Sequence, residues 1–162
     1  MHFHPNCHRL SSSIATNRQD VELDPFDQYV ETLQELDEPG RQRLTEWARN
    51  IVIFGDLMNG IAWNGLLLAI ANMWRSAPDA VNVLHLLGGV EEGDQLQTAM
   101  ALAHSRARAA GQDLYIEAMD DELVFDAFQA VEGALEERWE PLWDAAQAYA
   151  RTNGWPGSTG TR

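Results

Sequence analysis

The chain has no lysine among its 162 residues. All 11 basic residues are arginine, against 25 aspartates and glutamates, and the formal net charge is −14. A surface so short of cations repels phosphate backbones and anionic lipid. Direct nucleic-acid binding and attachment to a negatively charged membrane are therefore set aside. Cysteine occurs once, at Cys7, so no internal disulfide can form and a reducing compartment is expected. Long apolar runs are missing too. The longest, from Gly65 to Ala71, is far short of the roughly 20 residues that a membrane helix needs. No charged-then-apolar leader pattern is present near Met1, and the expected location is cytoplasmic.

Strand signals are weak: the best β-like run, Ile51-Val52-Ile53-Phe54, sits inside a helical period. Signatures of chemistry are also missing. There is no His-Glu-x-x-His, no Gly-x-Ser-x-Gly and no phosphate-binding glycine loop. His85 and His104 stand alone, neither with a glutamate three residues before it, so the di-iron Glu-x-x-His pattern is absent. His2, His4, Cys7 and His8 form a ligand-rich cluster with no second half, whereas a closed zinc site needs four ligands held by a fold. The expectation is a protein that is not an enzyme, with no cofactor and no metal.

What the chain does have is helical periodicity. Residues 21–153 read as one all-α domain of about six or seven helices, with a flexible tail at 1–20 and a frayed C-terminus at 154–162. Asp24-Pro25 opens the first helix, a capping carboxylate followed by proline. Phe26, Tyr29, Val30, Leu33 and Leu36 form its stripe, and Pro39-Gly40 is expected to stop it. A long stripe from Leu44 to Ile61 follows, with Gly55 or Asn59-Gly60 as expected interruptions. The segment from Trp63 to Trp74 is apolar nearly all round and is placed at the centre. Ser76-Ala77-Pro78-Asp79 reads as a capping box, and Gly88-Gly89 as the end of that helix. A further helix carries Leu96, Met100 and Ala103 and closes at Gly111; Pro141 breaks or starts a helix in the last stretch. Trp47, Trp63, Trp74, Trp139 and Trp143 are expected in the core, and Trp155 on the surface.

The acids fall in two blocks. Residues 20–46 carry a net −7, residues 113–144 a net −10, and the stretch between them only −1. In the first block Asp27, Glu31, Glu35 and Glu38 share one helical face. The second block supplies Glu117, Asp120, Asp121, Glu122, Asp126, Glu136, Glu137, Glu140 and Asp144. Like charges four residues apart each cost an isolated helix roughly 0.2–0.5 kcal/mol. At a rise of 1.5 Å per residue, the second block bears roughly one charge per 4–5 Å of helix. One DNA strand bears one per about 3.4 Å. Such runs are most often solvated faces that confer solubility. They also suit a basic protein partner, through charge-assisted hydrogen bonds and long-range steering.

The segment Asn64-Gly65 through Asn72, with Ala77-Pro78-Asp79-Ala80-Val81, Leu84 and Gly88, resembles a bacterial family. So do Met119-Asp120-Asp121-Glu122 and the closing helix through Tyr149. The family is that of the acidic DNA mimic protein nineteen, and the resemblance covers roughly residues 57–153. It implies an all-helical, non-enzymatic protein whose carboxylates take the place of DNA phosphates. Such a protein occupies the DNA-binding face of a basic helix-turn-helix transcription factor and so regulates transcription. The thirteen acids named above are then the partner-binding residues. The alternative with the same electrostatics is an immunity or antitoxin-type inhibitor of a basic toxin or nuclease. A homodimer would double the charged surface, though no residue demands one.

Overall fold

The computed structural model describes residues 24–111, 120–155 and 157. The expected tail at 1–20, with its His and Cys cluster, lies outside the described residues, as does Glu117. Eight helices and no strand occur among the described residues. They are α1 (Pro25–Gln34), α2 (Glu38–Gln42), α3 (Glu46–Asn64), α4 (Leu66–Asn72), α5 (Ala77–Leu86), α6 (Val90–Ala109), α7 (Glu122–Glu137) and α8 (Trp139–Thr152).

Helix α3 is the hub, packing against α1, α4, α5 and α8, while α6 lies between α5 and α7. Its β-like run, Ile51 to Phe54, is buried at every residue because neighbours cover α3 on several sides. Neither Gly55 nor Gly60 interrupts it. Each lies where a neighbouring helix comes close instead: a Cβ on Gly55 would meet Val30 Cγ1 at 2.7 Å, and one on Gly60 would meet Ala69 Cβ at 2.7 Å. The break falls at Gly65, whose φ of +77° suits glycine and turns the chain into α4. Helix α4 is buried as its composition predicts, with Leu66 and Ile70 fully enclosed.

The first helix ends earlier than expected. Asp24 accepts the Phe26 N–H at 2.8 Å and caps α1, which stops at Gln34. Pro39-Gly40 does not end α1; it lies inside α2, where proline's fixed φ suits a first turn and Asp37 accepts the Gly40 N–H at 2.8 Å. Ser76 forms no capping box: its hydroxyl donates back to the Met73 carbonyl at 3.1 Å. Gly88, at φ +85°, does close α5. The Gly89 N–H reaches the Leu84 carbonyl at 2.8 Å and the Gly88 N–H reaches His85 at 3.1 Å, the Schellman arrangement.

A second Schellman turn overturns the expectation for Trp155. Gly154, at φ +113°, lets the Trp155 N–H reach the Ala150 carbonyl at 2.9 Å. The indole then folds back onto Phe26 and Tyr29, at ring separations of 5.1 and 5.8 Å, and is only 7% exposed. Trp63 and Trp74, expected in the core, are 67% and 47% exposed, because each stands at or beyond a helix end where the core stripe has run out. No helix of the described residues is long and apolar enough to cross a membrane.

Candidate functional site

The most acidic element among the described residues is the α7–α8 pair, and its chemistry begins at Asp121. This carboxylate caps α7, accepting the Leu123 N–H at 3.0 Å and the Val124 N–H at 3.3 Å. Its other oxygen lies 3.5 Å from Arg106 Nε on α6. Val124, Phe128, Val131 and Leu135, spaced by four and three residues, bury one face of α7. Helical geometry therefore turns Glu122, Asp126 and Glu137 outward, with Glu136 beside them, and all four are exposed. Arg138 ends α7 and begins α8, and Pro141 sits in the first turn of α8, where its missing N–H costs nothing. Beyond it Glu140 and Asp144 are exposed, and so is Asp120 before α7.

Seven carboxylates are thus exposed along this acidic ridge of the chain, from Asp120 just before α7 through Glu122, Asp126, Glu136 and Glu137 to Glu140 and Asp144 of α8. The ion pairs among the described residues lie elsewhere. Arg41 pairs with Asp56 at 2.7 Å, Arg106 with Asp121, and Arg138 points away from the ridge to Glu92 at 3.9 Å. Two apolar side chains stand among the acids at the start of α7: Leu123 is 55% exposed and Phe125 49%.

Two of the block's acids are engaged structurally. Asp121 is the cap just described. Glu132, which the sequence did not single out, turns inward: its Oε2 accepts the Leu66 N–H at 2.6 Å at the start of α4. Gly65 beside it, with no side chain, leaves the room: a Cβ there would sit 3.2 Å from that oxygen. The signal that could have found this pair is Gly65 followed by an apolar helix with no Ser, Thr, Asp or Asn to cap it.

The first acidic face is not continuous. Asp27 is buried, and its Oδ1 accepts the Trp143 indole N–H at 2.9 Å, so it does not serve as an exposed anion. Glu31, Glu35 and Glu38 are exposed, but α1 ends at Gln34 and Glu38 begins a separate helix. The first turn of α1 is tied to α8 through Trp143, and through Gln147 Nε2, 3.4 Å from Asp24 Oδ1.

His85 Nε2 lies 3.1 Å from Asp94 Oδ1, within ion-pair reach if the ring is protonated, but off the direction a hydrogen bond requires. No group of three or more His, Cys, Asp or Glu among the described residues is placed to hold a metal ion. Burial pushes the Tyr29 hydroxyl above its ordinary value of 10.0.

Compared with known proteins, the chain matches no family model, no curated protein and no solved structure.

Proposed function

We propose that this chain is a non-enzymatic acidic binding protein that mimics DNA, occupying the DNA-binding face of a basic DNA-binding protein such as a helix-turn-helix transcription factor. The observation that carries this reading is the ridge of seven exposed carboxylates on α7 and α8 and just before them, none ion-paired with a described arginine. Within α7, Glu122 and Glu136 are separated by roughly 21 Å along the axis, at 1.5 Å per residue. A partner's arginines and lysines, arranged to grip phosphates, meet carboxylates there and form charge-assisted hydrogen bonds. Leu123 and Phe125 supply the apolar anchors that ion pairs alone lack, since exposed charge pairs contribute little to affinity in water.

The test is affinity capture at low salt from extracts of the cell that makes the protein, eluted with a salt gradient. A single DNA-binding protein, displaced by its own DNA, is the expected result. A nuclease or toxin captured instead identifies an inhibitor of that class. A smear of unrelated basic proteins at low salt reduces the ridge to a solubility feature and overturns the reading.

A further inference from the structure

A cavity of about 420 Å³ opens between α5, α6 and the turn that leads into α5. That lies within the range of about 300–1,000 Å³ typical of small-molecule sites. Its floor is apolar, built from Val81 of α5 and Met100 of α6, both buried. Trp74 forms one wall and is 47% exposed, an unusual position for so large an apolar ring. The Arg75 guanidinium carbon stands 5.9 Å from the centre of that ring, at the cavity's edge. The side-chain amides of Asn82 and Gln97 belong to the lining as well.

The charge of this cavity sets it apart. Among the described residues no aspartate or glutamate lines it, in a protein of net charge −14, and none lies within ion-pair distance of Arg75. A larger groove of about 770 Å³ between α6 and α7 has Glu91 and Asp94 in its walls instead. An anion that enters this cavity meets a guanidinium, two amides, the His104 imidazole and, among the described residues, no carboxylate.

We propose that the cavity between α5 and α6 binds a small aromatic carboxylate. The ring stacks on Trp74 over the Met100 floor, where thioether sulfur and aromatic faces attract one another. The carboxylate takes the Arg75 guanidinium, which the indole already holds in place. Asn82 and Gln97 offer neutral donors that tolerate an anion. This site is separate from the acidic ridge and does not depend on the reading of that ridge.

The experiment is titration calorimetry of the full chain with indole-3-acetate as the probe. Tryptophol, which has the same ring but a hydroxyl in place of the carboxylate, is the neutral control. The expected result is a dissociation constant below about 1 mM for the anion. Tryptophol should bind at least about tenfold more weakly, as loss of a charge-assisted bond requires. Arg75→Gln and Trp74→Ala should each weaken the anion by a similar factor while the helical circular dichroism stays unchanged. Both side chains are exposed, so neither change empties the core. In wild type the Asn82 and Gln97 side-chain amide resonances should shift on titration. Equal binding of acid and alcohol, undiminished binding by both variants, or no binding at concentrations about tenfold higher overturns the proposal.

Discussion

Asp27 has the right spacing for an exposed acidic stripe, yet it ends in the interior, holding the indole N–H of Trp143 116 residues away. A buried indole N–H without an acceptor costs about 1–3 kcal/mol. Asp27→Ala is therefore expected to lower the unfolding free energy by about that amount, measured by urea denaturation with an unchanged m-value. A Glu31→Ala change on the exposed face should stay within about 0.5 kcal/mol of wild type. Tyr29 gives a pH dependence. Its ring lies between Trp47 and Trp155, at 6.1 and 5.8 Å, and burial raises the hydroxyl's proton affinity in the folded state. The folded chain keeps this proton at a pH where the unfolded chain has lost it. Stability from this residue is therefore full below pH 10 and declines as pH rises from there through the folded-state value. Thermal melts between pH 9 and higher values should show that decline, and Tyr29→Phe should make it shallower. An identical decline in the variant rules this cause out.

Among the elements, glycine is the residue whose meaning depends most on context. Gly55 and Gly60 look like interruptions in the long α3 stripe, but both are points of close approach, to Val30 of α1 and Ala69 of α4. Backbone atoms on α4 also crowd the second site: a Cβ on Gly60 would lie 3.3 Å from Ala69 Cα. Gly60→Ala gains helix propensity of about 1 kcal/mol but forces α3 and α4 apart. The expected net effect is a loss of about 1–3 kcal/mol, read as a lower midpoint in chemical denaturation. A stabilised variant would show that the two helices separate without cost. At Gly65 and Gly154 the requirement is instead a positive φ, where the sequence pointed elsewhere, to a break at Gly55 or Asn59-Gly60 and to a frayed end from residue 154. Helix boundaries around Pro39 were the least legible. A proline in the first turn of a helix and a proline after its end look alike until the preceding residue is known to be a cap.

For the whole molecule the governing quantity is unbalanced charge. Four of the ridge acids, changed together as Glu122→Gln, Asp126→Asn, Glu136→Gln and Glu140→Gln, keep side-chain shape while removing four negative charges. This variant is expected to keep its helical fold, because no described ion pair is lost and relief of like-charge repulsion offsets the helix-dipole contribution of Glu122 and Glu140 in the first turns of α7 and α8. Its affinity for a basic partner should drop by at least about tenfold, and the slope of log affinity against log salt should flatten. An unchanged affinity, measured by calorimetry over a salt series, sinks the ridge as the binding surface. Both acidic blocks are visible in the order of residues, at net −7 over residues 20–46 and net −10 over residues 113–144. Which of their members were free to act did not follow. Glu132 is indistinguishable from its neighbours by type and spacing, and only the approach of α4 gives it work inside the fold, whereas Asp121 caps its own helix and also meets Arg106 of α6.

The helical class, the start of α1 at Asp24 and of α7 at Asp121, and the end of α5 at Gly88 were determined by the chain itself, because they rest on local forces: periodic burial, caps and left-handed glycines acting within a few residues. The choice of α3 as hub, the burial of Asp27 and Trp155 and the exposure of Trp63 and Trp74 were decided only by tertiary packing. Those outcomes depend on which surfaces distant segments cover, and contacts such as that of Asp27 with Trp143 or Leu66 with Glu132 leave no periodic trace in the order of residues.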